Sequence, residues 1–224
     1  TWNKLYPNVD VKIILIANII PDKLLLYKNN LILFKPIKNV LTSFTAQFIR
    51  LLYPCILNYK NGVLITDMDM LPMNKDYYTK NIINYDNNKF IYYRGNVLNN
   101  INQIAMCYNV ATPEVWKSIF KVNSVNDIIN MIKHINNPNW FFDQNYLYNE
   151  VTKWNKKTNN FVRLNEKQTK FNRLNRNNFN ITDVNIIKNI TDGNYTDYHC
   201  CRPMSKYSDL NWKIYNLLRL DNPE

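Results

Sequence analysis

The chain has 224 residues, 46% of them hydrophobic, which is enough for one compact domain with a sizeable core. Three glycines argue against a glycine-rich dinucleotide loop, and no apolar run reaches the ~18 residues needed to cross a bilayer. The net charge of +11 suits an anionic partner, yet the basic residues are scattered rather than gathered in one stripe, which argues against a nucleic-acid binder.

In chain order, residues 11–17 form a continuous apolar run rich in branched side chains, the pattern of a strand buried on both faces in a parallel sheet. Residues 31–34 are a second short strand closed by Pro36. Residues 42–53 have helical spacing, with Thr42 or Ser43 as the cap and Phe44, Phe48, Leu51 and Leu52 on one face. Asn61 and Gly62 make a turn into a third strand at 63–66. Strands follow at 90–93, with a turn at Gly95, and at 104–109. A helix starts at Thr112, where Thr caps, Pro113 fills the first turn and Glu114 suits the N-terminal dipole. Helical periodicity continues at 125–135, in a short helix at 143–151 and at 210–220. Residues 155–180 are polar and basic and read as a mobile surface excursion. Strands alternating with helices imply an α/β domain, residues 1–224, with a mostly parallel central sheet flanked by helices.

Cys55, Cys107, Cys200 and Cys201 lack metal-site spacing, and Thr1-Trp2-Asn3-Lys4 does not open like a secretory signal, so reduced thiols and a cytoplasmic location are expected. Sequons at Asn180, Asn189 and Asn194 are expected by chance in an Asn-rich chain. Asn, Lys, Ile and Tyr share A/T-rich codons. Their abundance suits a large DNA virus and accounts for much of the positive charge.

The strongest chemical signal is Asp67-Met68-Asp69, directly after the apolar strand and before Leu71-Pro72. Residues two apart in an extended segment point the same way, so both carboxylates can converge at the strand's carboxyl end, where open α/β sheets bind ligands. Paired carboxylates there suit Mg²⁺ or Mn²⁺, with diphosphate oxygens completing the shell.

Phe44-Thr-Ala-Gln-Phe-Ile-Arg-Leu-Leu-Tyr-Pro54, followed after a short turn by Val63-Leu-Ile-Thr-Asp-Met-Asp-Met-Leu-Pro72, resembles the Asp-x-Asp glycosyltransferases of GT-A fold. The likeness is to small viral enzymes of the chlorella-virus and giant-virus type, and it continues through Asn139-Trp-Phe-Phe-Asp-Gln144 and Asp197-Tyr-His199. It implies a Rossmann-like sheet, a Mn²⁺ or Mg²⁺ cofactor, a nucleotide-sugar donor (UDP-sugar favoured) and a hydroxyl on a glycan or glycoprotein acceptor. It further implies that Asp67 and Asp69 contact metal, diphosphate and ribose, that His199 is a third metal ligand, and that Arg50 reaches donor sugar or phosphate. Asp143 would be the general base of an inverting enzyme. In a retaining one, Asp143 or Gln144 would orient the donor sugar. Trp140 is the favoured acceptor-side aromatic, ahead of Tyr92, Tyr93, Trp116 and Trp212. The opening Thr1-Trp-Asn-Lys-Leu-Tyr-Pro7 resembles the end of the family's first helix. The first strand therefore either lies upstream in a longer parent chain or is replaced by residues 11–17.

A haloacid-dehalogenase-type phosphatase also carries Asp-x-Asp after an apolar strand. It wants Thr or Val two residues beyond the second Asp, where this chain has Leu71.

Overall fold

The structure is a computed structural model that describes residues 1–98, 101–135, 139–176 and 178–218. In chain order the elements are α1 Trp2–Leu5, β1 Ile13–Ile16, β2 Leu31–Phe34, α2 Thr42–Leu52, β3 Val63–Ile65, β4 Met70–Pro72, α3 Tyr77–Lys80, β5 Phe90–Tyr92 and β6 Asn109–Ala111. They continue with α4 Pro113–Phe120, α5 Val125–Lys133, α6 Phe142–Thr158, β7 Phe161–Arg163, α7 Glu166–Thr169, β8 Arg173–Asn175, α8 Val184–Thr191, β9 Asp197–His199 and α9 Ser208–Leu217. The chain is mixed α/β and divides into two compact units. The larger holds Lys12–Thr66 and Tyr85–Asn165. The smaller holds Thr1–Val11, Asp67–Asn84 and the chain from Glu166 on.

In the larger unit β1 and β2 pair in parallel, and β3-β6-β5-β7 form a separate four-stranded sheet. There β6 is antiparallel to both β3 and β5, while β5 and β7 are parallel. This corrects the expected mostly parallel sheet: among the described strands, parallel and antiparallel ladders are equally frequent. The link from β5 to β6 has no covering α-helix among its described residues, and without a helical crossover the strand returns antiparallel. The apolar residues Ile104, Met106 and Cys107 are buried as irregular chain, and pairing starts only at Asn109.

The core of this unit is built on α2. Phe48, Leu51 and Leu52 are fully buried with Phe90, Trp116, Ile128 and Leu147, and each such apolar side chain contributes roughly 1.5–3 kcal/mol. The caps of α4 and α5 follow from sequence: Thr112 Oγ1 accepts the Val115 N–H at 3.4 Å, and Ser124 Oγ accepts the Asp127 N–H at 3.2 Å. For α2 the expected Thr42 or Ser43 cap is replaced by Leu41, with no side-chain bond, because the chain is already helical at Thr42.

The smaller unit has the sheet order β4-β9-β8. The central β9 runs antiparallel to β4, with Met70 opposite His199, and parallel to β8, with Asn175 opposite His199. Its core gathers Met73, Leu174, Ile190, Tyr198 and Ile214. The polar stretch 155–180 is not one excursion: it holds the end of α6, then β7, α7 and β8, with residue 177 outside the described residues. The last helix ends at Leu217, and residues 219 and 220 of the expected helix also lie outside them.

All four cysteines are buried, and none is joined in a disulfide. Burial pushes the Cys55 and Cys200 thiols up to about 12, the Asp69 carboxylate adding to the effect on Cys200. The folded chain is therefore expected to react slowly with a thiol reagent at pH 8, and all four thiols to react after denaturation. One fast-reacting thiol in the folded chain contradicts this packing.

Candidate functional site

The chain leaves β3 at Ile65 and turns before β4. The Met70 N–H donates to the Asp67 carbonyl at 3.2 Å, so residues 67–70 form a β-turn with Met68, 81% exposed, inside it. The two aspartates thus stand in a turn and not in the extended segment expected, and the alternation argument for parallel carboxylates does not apply to them.

The turn brings Asp69 to β9. Its carbonyl accepts the Cys200 N–H at 2.9 Å, extending the β4–β9 ladder and fixing Asp69 beside His199. The Asp69 Oδ2 to His199 Nε2 distance is 3.3 Å. On its other side His199 Nδ1 lies 3.2 Å from Asn175 Oδ1, at the end of β8. In the tautomer with the proton on Nδ1, that bond orients the ring and leaves the Nε2 lone pair facing the carboxylate. Asp69, His199 and Asn175 therefore meet at one edge of the three-stranded sheet, at the carboxyl ends of β8 and β9.

Two arginines join them. Arg202 Nη2 lies 2.7 Å and Arg176 Nη1 3.5 Å from the same Asp69 Oδ2. Burial, and then the Arg176 charge, hold the His199 pKa below its usual value, with Arg173 and Arg202 acting in the same direction and Asp69 opposing them. The ring is accordingly neutral at pH 7, the form that ligates metal. Nearby Arg173 is matched by the fully buried Asp197 at 3.0 Å, whose other oxygen accepts the Tyr78 hydroxyl at 3.4 Å.

Adjacent ligands of an octahedral ion with bonds near 2.1 Å stand about 3 Å apart. The Asp69 oxygen and His199 nitrogen, 3.3 Å apart, fit such a pair. One nitrogen and one oxygen donor suit Mn²⁺ better than Mg²⁺, which takes an all-oxygen shell. Among the described residues no three His, Cys, Asp or Glu side chains are gathered to hold an ion, so the geometry groups two of the three expected ligands, and Asp67 is outside that pair.

The remaining expected residues lie in the larger unit. Asp143, in the first turn of α6, is 2% exposed, and Arg50 of α2 meets its Oδ2 at 2.7 Å. Its Oδ1 accepts from Gln47 Nε2 at 3.2 Å and from the Gln144 N–H at 2.9 Å. Both oxygens of Asp143 thus accept from chain donors, and the carboxylate holds the Arg50 guanidinium in place. Gln144 is half-buried, and its carbonyl accepts the Ile104 N–H. Trp140 is 76% exposed. Tyr92, Tyr93 and Trp116 are fully buried core rings, whereas Trp212 is exposed.

Sequence reasoning did not single out Arg176, Arg202 or Asn175. Their only signal is position: Asn175 ends β8, Arg176 follows it, and Arg202 lies three residues beyond His199.

No protein-family model, no curated protein and no solved structure matches the chain. Among the described residues no helix is long and apolar enough to cross a membrane.

Proposed function

We propose that the chain is a metal-dependent glycosyltransferase of GT-A type that moves a sugar from a nucleotide sugar, a UDP-sugar by resemblance, to a hydroxyl of a glycan or glycoprotein. The observation that carries this reading is the 3.3 Å pairing of the Asp69 carboxylate with a neutral, Asn175-oriented His199 at the sheet edge next to the Asp-x-Asp turn. The motif predicts a divalent-cation site at this point, and the pair supplies two donors at the spacing such an ion takes.

Asp69 and His199 would hold Mn²⁺, which when bound neutralises charge on the departing nucleoside diphosphate. Asp67, at the head of the turn, would contact the nucleotide on its ribose side. In the larger unit Asp143 holds Arg50 in place, and the resemblance alone assigns Arg50 and Gln144 to the donor sugar. Trp140 offers an exposed ring face to an acceptor sugar. The reading places the enzyme in the cytoplasm, a host's cytoplasm if the chain is viral.

Melting curves test it. Mn²⁺ with UDP, at a hundredfold excess over the dissociation constant, is expected to stabilise the native state by about 2.7 kcal/mol. For a chain of this size that raises the melting temperature by roughly 5–10 °C. Absence of a shift with every nucleoside diphosphate and nucleotide sugar, with and without Mn²⁺, removes the assignment.

A further inference from the structure

We infer that Arg176 and Arg202 form a diphosphate seat, and that Asp69 occupies it as the resident anion when no ligand is bound. The inference deepens the proposed function: it names the group that binds opposite the cation and a coupling between the two.

Three features of the smaller unit carry it. The first is charge. One carboxylate, Asp69, faces the two guanidiniums of Arg176 and Arg202, while the neighbouring Arg173 is already matched by Asp197. The second is geometry. Both guanidiniums converge on the single atom Asp69 Oδ2, at 2.7 and 3.5 Å. The longer contact, from Arg176, is at the limit of a hydrogen bond, so this oxygen satisfies Arg202 better than Arg176. A phosphoryl group carries three acceptor oxygens and roughly −1.5 to −2 charge at pH 7, so a diphosphate satisfies both arginines at once. The third is access. The Arg202 side chain is 53% exposed and Arg176 28%, against 15% for Asp69, so an anion from solvent reaches the guanidiniums without unfolding the sheet.

The coupling follows from the shared carboxylate. While Asp69 is engaged by the arginines, it is a poorer cation ligand. A diphosphate that takes the arginines frees Asp69, and a cation that takes Asp69 frees the arginines. Each ligand therefore tightens binding of the other by the same factor.

Titration calorimetry of the full chain at pH 7.5 in EDTA, with inorganic pyrophosphate and separately with UDP, tests the seat. Arg202→Gln and Arg176→Gln are each expected to weaken pyrophosphate binding roughly tenfold to a hundredfold, the cost of a charged hydrogen bond. Asp69→Asn, which removes the competing anion, is expected to tighten it about tenfold in the absence of metal. The opposite signs separate the seat from a structural ion pair, whose loss weakens binding in all three variants. UDP binding tighter than pyrophosphate identifies a nucleoside diphosphate as the source, and equal binding identifies the bare diphosphate; either supports the seat. Unchanged affinity in both Gln variants, or no binding even by Asp69→Asn, overturns it. Nucleotide-sugar turnover separates the two readings. Arginine-dependent pyrophosphate binding by a chain that turns over no nucleotide sugar keeps the seat and removes the glycosyltransferase. Turnover with unchanged affinity in the Gln variants does the reverse.

Discussion

Asp69→Asn is expected to lower Mn²⁺-dependent hydrolysis or transfer of a nucleotide sugar by roughly 10²–10³-fold while leaving the fold intact, the scale typical of removing one electrostatic contributor from a reacting site. The substitution keeps the side chain's shape and exchanges a charged oxygen for an amide nitrogen. The backbone that places the residue is untouched: the Asp69 carbonyl still accepts from the Cys200 N–H, and Met70 still pairs with His199. What disappears is the charge that faces His199 at 3.3 Å. Arg176 and Arg202 lose their counter-ion, but both reach water, so solvent screens the repulsion left behind and the stability cost is small. Turnover against Mn²⁺ concentration, with a circular-dichroism melt of the same sample, is the measurement. Full activity in a folded Asp69→Asn removes the metal role of this residue. Lost activity accompanied by a collapsed melt means that Asp69 is structural first.

The parts of the fold that sequence made legible are those written in local chemistry. Thr112, Pro113 and Glu114 name the start of α4, and the α2 stripe of Phe44, Phe48, Leu51 and Leu52 is the stripe that is buried. Legibility fails where burial and pairing part company. Residues 104–107 look like a strand because they are apolar, yet they are buried as irregular chain, and the ladder forms at Asn109, whose side-chain amide donates to the carbonyls of Ala105 and Met106. The short strands β7 and β8 were hidden for another reason: each is three residues long inside a polar, basic stretch, with no residue of β7 and only Leu174 of β8 buried. At the site, the Asp-x-Asp turn and His199 were visible as residue types. Their arginine partners were not, because Arg176 is 107 positions from Asp69 and a chain with 28 Lys and Arg marks no single one of them. Only the register of β9 between β4 and β8 brings them together.

The Arg50–Asp143 pair gives the largest expected effect on stability, and its two halves are not equivalent. Helices α2 and α6 pack through aromatic rings: Phe48 sits 5.6 Å from Phe142 and 5.0 Å from Tyr146, centroid to centroid. Beside that apolar contact, Asp143 is buried to 2% while Arg50 keeps 25% of its side chain in solvent. Removing Arg50 leaves a carboxylate sealed in the interior and held, among the described residues, by the Gln47 amide and the Gln144 N–H. Breaking a buried pair in this way costs about 3–5 kcal/mol. Arg50→Ala is therefore expected near the lower end, about 3 kcal/mol, because some water reaches the gap; that is a fall of roughly 6–12 °C in melting temperature. Asp143→Ala is expected to cost less, since the orphaned guanidinium swings outward into water. Replacing both by Leu removes the uncompensated charge and recovers most of the loss. Urea titrations of the three variants measure the order. Should Asp143→Ala prove the more damaging single change, Asp143 is held by more than its arginine, and the account of that carboxylate as a positioning group for Arg50 fails.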